Sequence, residues 1–388
     1  MSLCLLHVFP TFAVGGGQRR TVDLANRLGS AFRHVVVALD GQLSAASGFA
    51  PHVDVHGEVL ALRKNSGIDL GNLHKVRQLL RQVRPDLLLT YNFGAVEAAL
   101  ANRLRSLCPH LHFEDGFGPE EAERQLPRRV WLRRLALSGQ TKIIVPSRTL
   151  EDLALHRWGF DRKRVLYIPN GVDCTRYDAA REHQPLDLWR REPDELVIGA
   201  VGMLRPEKNL ARLIRAFARM ATGQPARLVL VGEGSERPAL EGLAMQLGIA
   251  ERVTFTGFLA EPQRAMAEFD IYALSSDTEQ MPLGMVEAMA AGLPIIATNV
   301  GDVAHLLPAE QQSYIVPKAE ERLFARCLSE LVDHPERRKA LGAANRNLAR
   351  CSYTIERMVD RYAALFSEVT GACRTPSAGL RQAQRSIS

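Results

Sequence analysis

Short apolar runs, each followed by a stretch of helical periodicity, recur through most of this chain, and no other feature restricts its possible folds as much. Leu3–Phe9 is the first run; it feeds the glycines Gly15, Gly16 and Gly17 and then a helical pattern through Val22, Leu24, Ala25 and Leu28. Further runs follow at His34–Leu39, Val53–Leu62, Asp86–Tyr91, Leu111–Glu114, Ile143–Val145 and Val165–Ile168. After a polar interval the pattern restarts at Glu195–Val201, Arg227–Val231, Val253–Phe255, Ile271–Leu274 and Pro294–Thr298. Near-continuous apolar runs of strand length belong to strands covered on both faces. Alternation with helices then requires right-handed crossovers and a parallel sheet, whose ligand crevice lies at the carboxyl ends of the strands. The expectation is an α/β protein of doubly wound design, and residues just after strands, such as Asn92, Glu114, Asp115, Ser147 and Asn170, bear closest reading.

The 388 residues suffice for two domains. The turn residues Asn170 and Gly171 close the first, and the polar stretch Ala179–Glu195, with Pro185 and Pro193, is expected to connect them. This gives residues 1–178, a linker at 179–195, and a second domain at 196–352. Helical patterns near Leu323–Leu331, Glu336–Leu348 and Ile355–Phe366 finish the fold, with 353–370 expected to return to the first domain. The aperiodic tail 371–388 is expected to be disordered.

A surplus of 49 basic over 43 acidic side chains is too small to argue for nucleic acid, though it suits an anionic substrate or membrane surface. The six cysteines form no CxxC pair, which excludes a zinc knuckle or disulfide scaffold as an expectation. With neither a signal-peptide pattern nor an apolar run of membrane-spanning length, a cytoplasmic protein is expected, at most peripheral on the inner face of a membrane.

In the first half, strand, glycine loop and helix suggest close backbone approach to a phosphate or sugar. Asp40 follows the second run and raises a dinucleotide site, but Arg20 stands where the third glycine of GxGxxG belongs. Period-2 alternation puts His110, His112 and Glu114 on one face, with Asp115 leaving the strand at its tip; His112, Glu114 and Asp115 are candidates to face the crevice. Arg124–Leu137 interleaves arginines with Trp131 and leucines, and its amphipathicity is imperfect. Two readings stand: an interfacial helix drawn to anionic lipid, or a solvated basic face over a buried stripe.

In the second half, Arg205 and Lys208 precede a helix expected at Leu210–Met220 with Asn209 as N-cap. Two cations beside a helix start form a phosphate site by charge and dipole together. The stretch Leu274–Gly301 carries Glu279 and Glu287 with seven residues between them. Pro282 suits a first helical position and Gly292 followed by Pro294 the stop, so Glu287 projects from a short helix and Glu279 lies in the loop before it. Free amides at a helix start and carboxylates for hydroxyls meet the two needs of a nucleotide sugar.

With SSDTEQMPLGMVEAMAAGLPIIATNVG, GMLRPEK and the two similar halves, the chain from Ser2 to Phe366 resembles the retaining GT-B glycosyltransferases of the family 4 type. The resemblance implies two Rossmann-like domains facing across a cleft, and transfer of a sugar from a UDP or GDP sugar to a lipid-linked or saccharide acceptor hydroxyl with retention. Residue by residue, it implies that Glu287 holds the ribose hydroxyls and Glu279 lies near the donor sugar. It assigns Lys208 to phosphate, the amides of Met281, Leu283 and Gly284 to sugar or diphosphate, and Gly16 and Gly17, beside Gly15, to a loop closing over the donor. Asp115 takes the place usually held by histidine or aspartate, with His112 the alternative. Met203 stands where the family often has arginine, so Arg205 serves as its substitute; Gln280 stands where the family often has glycine. No metal or cofactor is expected, because cationic side chains supply the charge at the diphosphate. A nucleotide-sugar epimerase and a non-catalytic nucleotide-sugar binder are the alternatives.

Overall fold

The computed structural model describes residues 2–371 except 61, 63–67, 118–120, 122–124, 183–185, 187, 188 and 190. The tail expected to be disordered lies, from residue 372 on, outside the described residues. By contact density the chain divides into two units, one comprising Met1–Pro169 and the chain from Glu356 on, the other Asn170–Ile355.

The first unit holds seven parallel strands: β1 (Leu3–Phe9), β2 (Phe32–Ala38), β3 (Asp54–Val59), β4 (Leu87–Tyr91), β5 (His110–Phe113), β6 (Lys142–Val145) and β7 (Val165–Tyr167). Their order is β3-β2-β1-β4-β5-β6-β7, so the chain reverses direction across the sheet between β1 and β4, as in a doubly wound fold. Both faces are covered. Cys4, Leu6 and Val8 point to one side, against Val76, Leu80 and Ala99 of the crossover helices. Phe9, Tyr91 and Phe113 stack on the other, with ring centroids 3.6 and 4.7 Å apart. The C-terminal helix Ile355–Thr370 closes that side through Tyr362 and Phe366, both wholly buried.

The second unit repeats the plan with six parallel strands: β8 (Leu196–Val201), β9 (Ala226–Val231), β10 (Val253–Gly257), β11 (Ile271–Leu274), β12 (Ile295–Thr298) and β13 (Ile315–Val316), in the order β10-β9-β8-β11-β12-β13. Val197 and Ile198 show why the run is continuous rather than alternating: the first packs with Met285 and Met289, the second with Phe217 and Leu328 on the opposite face.

Two local expectations change, and one strand is added. The division falls at 169/170 rather than within 179–195, because Cys174 and Tyr177 of the helix Cys174–Ala180 are buried with Trp189 in the second unit's core. β13 has only two residues, too few for a periodic signal. Pro282 is the N-cap of the helix Leu283–Ala290, not its first residue.

Candidate active site

In the second unit β11 pairs directly with β8, so the loops leaving both strands emerge side by side at the carboxyl end of the sheet. The loop after β8 ends in Lys208 and that after β11 carries Glu279. The Lys208 ammonium donates to Glu279 Oε1 at 2.6 Å, and the Ser276 hydroxyl donates to the same oxygen at 2.7 Å. Thr298, at the end of β12, anchors Ser276 by donating to its carbonyl at 2.6 Å. Gly301 is needed where it stands: a Cβ there would lie 1.9 Å from the Glu279 carbonyl oxygen, and its φ of +51° favours glycine.

Two residues beyond Glu279 the chain reaches Met281 and Pro282, then the helix Leu283–Ala290. Its first amides, those of Leu283 and Gly284, have no acceptor within the helix, and the positive end of the helix dipole lies there. Glu287 sits in the helix body, 5% exposed. Tyr272 of β11 reaches the start of this helix: a Cβ on Gly284 would stand 2.8 Å from its hydroxyl. Burial first, then the charges of Glu279 and Glu287, push the Tyr272 phenol far above its usual range, so it stays neutral. Asn209 caps the helix Leu210–Ala218 as expected, its Oδ1 accepting from the Arg212 amide at 3.2 Å. Lys208 and Glu279 are thus brought together, with Met281, Leu283, Gly284 and Glu287 following on the same short segment. The Arg205 side chain is half exposed, 3.9 Å from Glu207.

In the first unit Gly15 is the N-cap of the helix Gly16–Leu28. A Cβ on Gly17 would lie 2.7 Å from Asp115 Oδ2, whereas one on Gly16 would meet nothing within 4 Å. Arg20, one turn on and 4% exposed, takes both Asp115 carboxylate oxygens in a bidentate pair, with Nη2 to Oδ2 at 2.9 Å. Burial opposes the guanidinium's charge, but Asp115 beside it outweighs that and holds it charged. The Asp115 amide donates to Asn92 Oδ1 at 2.7 Å, and Asn92 adopts a positive φ of 54°.

His112 and Glu114, expected as candidates to face the crevice, are both wholly buried, with Glu114 directly after the last residue of β5. The Thr90 hydroxyl lies 2.8 Å from both His110 and His112. Arg133 donates to Glu114 at 3.0 Å and to Glu121 at 3.2 Å. Burial works against the Glu114 carboxylate, yet Arg133 prevails and its pKa lies below the usual value. Arg133 is itself fully buried, its guanidinium 4.9 Å from the Phe93 ring centroid and 5.0 Å from that of Trp158. This is why the basic helix, Pro127–Ala136 in the structure, looked imperfectly amphipathic. Arg129 pairs with Glu121 at 3.2 Å, Arg134 donates to the carbonyls of Trp158 and Arg157, and Arg128 and Trp131 face outward. Arg124 lies outside the described residues. Among the described residues, no three His, Cys, Asp or Glu side chains gather as a metal site.

Sequence reasoning missed Ser276, Thr298, Tyr272 and the role of Arg20. Arg20 carried a usable signal: three residues after Gly17 it shares that glycine's helix face.

Residues 14–176 match the family described as Glycosyltransferase Family 4, and residues 188–348 match Glycosyl transferases group 1. D-inositol 3-phosphate glycosyltransferase of Rhodococcus opacus is 32% identical over 252 residues, which cover 60% of this chain and 54% of that protein. GDP-mannose-dependent alpha-mannosyltransferase of Mycobacterium tuberculosis is 29% identical over 228 residues, 57% of this chain and 55% of that one. The chain therefore spans about half the length of these curated relatives. Among solved structures, Anabaena HepE in complex with UDP-glucose superposes with a TM-score of 0.78 at 20% identity, covering 94% of this chain and 100% of that one.

Proposed function

The chain belongs to the family 4, group 1 glycosyltransferases, and from that premise we propose that it moves a hexosyl group from a nucleoside-diphosphate sugar to an acceptor hydroxyl with retention at the anomeric carbon. The observation that carries this reading is the juxtaposition of Lys208, Glu279 and the start of the helix bearing buried Glu287. A cation beside a short segment that carries two carboxylates and the amides of a helix start suits a ligand that is anionic at one end and rich in hydroxyls at the other.

In the reaction so drawn, the bond from the anomeric carbon to the diphosphate breaks and negative charge builds on the departing oxygen. Lys208 and the helix amides stabilise that charge because they are oriented before it develops. Arg205 supports them from the half-exposed rim. The acceptor oxygen attacks on the same face and its proton passes to the leaving phosphate, which keeps atoms and charge in balance. Glu279 steadies the positive character of the sugar, as carboxylates do in glycoside hydrolysis. Glu287 holds the ribose hydroxyls, and Asp115 handles the acceptor. UDP- and GDP-sugars are both open as donors; HepE was solved with UDP-glucose and the mycobacterial relative is GDP-mannose-dependent. The acceptor proposed is a polysaccharide or glycolipid precursor, met at an anionic membrane surface through the outward Trp131 and Arg128. No helix among the described residues is long and apolar enough to cross a membrane.

A thermal-shift screen against UDP, GDP and their sugars tests the donor, since a ligand that binds only the folded chain raises apparent stability by mass action. A shift with one nucleotide and its sugar is expected. No shift with any of them would overturn the reading, and an inverted anomeric centre in the product, read by NMR, would overturn retention.

A further inference from the structure

One cluster beneath the proposed donor site is used by none of the steps above. Asp277 stands two residues before Glu279, and Arg212 on the first turn of the helix Leu210–Ala218, 8% exposed, donates to it at 2.6 Å. The same guanidinium donates to the Ser275 carbonyl, also at 2.6 Å. Asn209 joins them. Its Oδ1 caps the helix while its Nδ2 donates to the other Asp277 oxygen at 2.9 Å, and its backbone is left-handed at φ 40°, a conformation asparagine tolerates. Two further links run alongside, one from the Asp277 amide to the Glu207 carbonyl at 2.8 Å and one from the Ser275 side-chain hydroxyl to the Lys208 carbonyl at 3.0 Å.

These bonds join residues 207–212, which include Lys208, to residues 275–277, which lead two residues on to Glu279. A loop of this kind has little apolar burial of its own to hold it, so its geometry depends on such polar ties. Arg212 is suited to the task because its planar fork engages a carboxylate and a carbonyl at once. We propose that Arg212 and Asp277 are positioning residues that hold the Glu279 loop where Lys208 and Glu279 meet, so that nucleotide affinity depends on a pair that need touch no ligand. The inference rests on the donor-site reading above.

The test is hydrogen exchange and nucleotide binding on the full chain carrying Arg212→Met, with Asp277→Asn, at a half-exposed carboxylate, as the second route should the first not fold. Amides of residues 276–281 are expected to exchange about ten-fold faster or more while those of β8 and β9 stay unchanged, the behaviour of a local opening. Affinity for UDP or GDP, whichever the native chain binds, should fall about ten-fold in calorimetry below the melting temperature. Lys208→Ala should then cost a smaller factor in the Arg212→Met background than in the native one, the coupling expected of residues acting together. Unchanged exchange in the loop, or an equal cost of Lys208→Ala in both backgrounds, overturns the proposal. Faster loop exchange in a chain whose native form binds neither UDP nor GDP overturns the donor-site reading instead, since exchange reports the tie directly.

Discussion

Lys208 meets Glu279 through a single contact of 2.6 Å, with a side chain still 30% exposed, so its worth lies in what it does to developing charge rather than in stability. Lys208→Ala is expected to lower turnover about a hundred-fold, roughly 3 kcal/mol, with little change in melting temperature. Glu287→Ala should instead weaken nucleotide binding in calorimetry; a collapse of folding would show that this buried carboxylate is structural. Histidines in the first sheet make a separate prediction. His7 bridges Tyr91 and His34 at 2.9 and 3.0 Å, and burial pushes His34 from 6.5 to about 4, with His7 and His110 also well below normal. The unfolded chain takes these protons near pH 6.5 and the folded chain refuses them. The contribution of His34 is therefore complete above pH 6.5 and lost as pH falls toward 4, by about 3 kcal/mol, and His7 and His110 act in the same direction. Urea melts of the native chain and His34→Leu across that window should show a shallower pH slope in the variant.

At the scale of elements, the helix start at Gly15–Gly17 reads differently from a generic flexible turn. Only Gly17 lies against Asp115, and Asp115 is pinned by Arg20, so the contact cannot be relieved cheaply. Gly17→Ala is expected to displace the carboxylate and impair transfer. Gly16→Ala, facing open space in a helix, should leave transfer intact and stabilise by about 0.5 kcal/mol. Equal activity losses in a product-formation assay would refute the distinction. Strand positions were legible because a parallel strand covered on both faces needs an unbroken apolar run; β1 and β11 match their runs residue for residue. The faces of His112 and Glu114 were legible as well, but not their depth. Alternation tells which residues share a side, and cannot tell whether Arg133 arrives to cover them.

Across the whole molecule, charge is divided unevenly. The first unit with the C-terminal segment carries 28 basic against 18 acidic side chains, and the second 21 against 25. An overall +6 thus conceals a strongly basic unit and an acidic one. Binding to phosphatidylglycerol vesicles at low ionic strength is expected through the first unit and should vanish near 0.5 M salt, where screening is about twice as short-ranged as at physiological strength. Co-sedimentation checks it, and no binding at low salt would remove the membrane surface from the proposal. Composition gave only the total; the partition follows from where contacts divide the chain, at 169/170 and 355/356.

The stretch Leu274–Gly301 shows where sequence information stops. Glu279 in a loop, Glu287 on a short helix and the doubly wound sheet around them follow from local rules: hydrophobic period, a proline before the helix and a glycine after it. Those rules act over a few residues and are written in the chain. Which groups meet Glu279 was decided by the pairing of β8 with β11, which brings Lys208 to it across 71 positions of sequence, and Arg212 to Asp277 across 65. The same holds for Arg20 and Asp115, 95 positions apart. A charged side chain does not record its partner in its own neighbourhood, because the partner is chosen by the sheet order that packing the whole core selects.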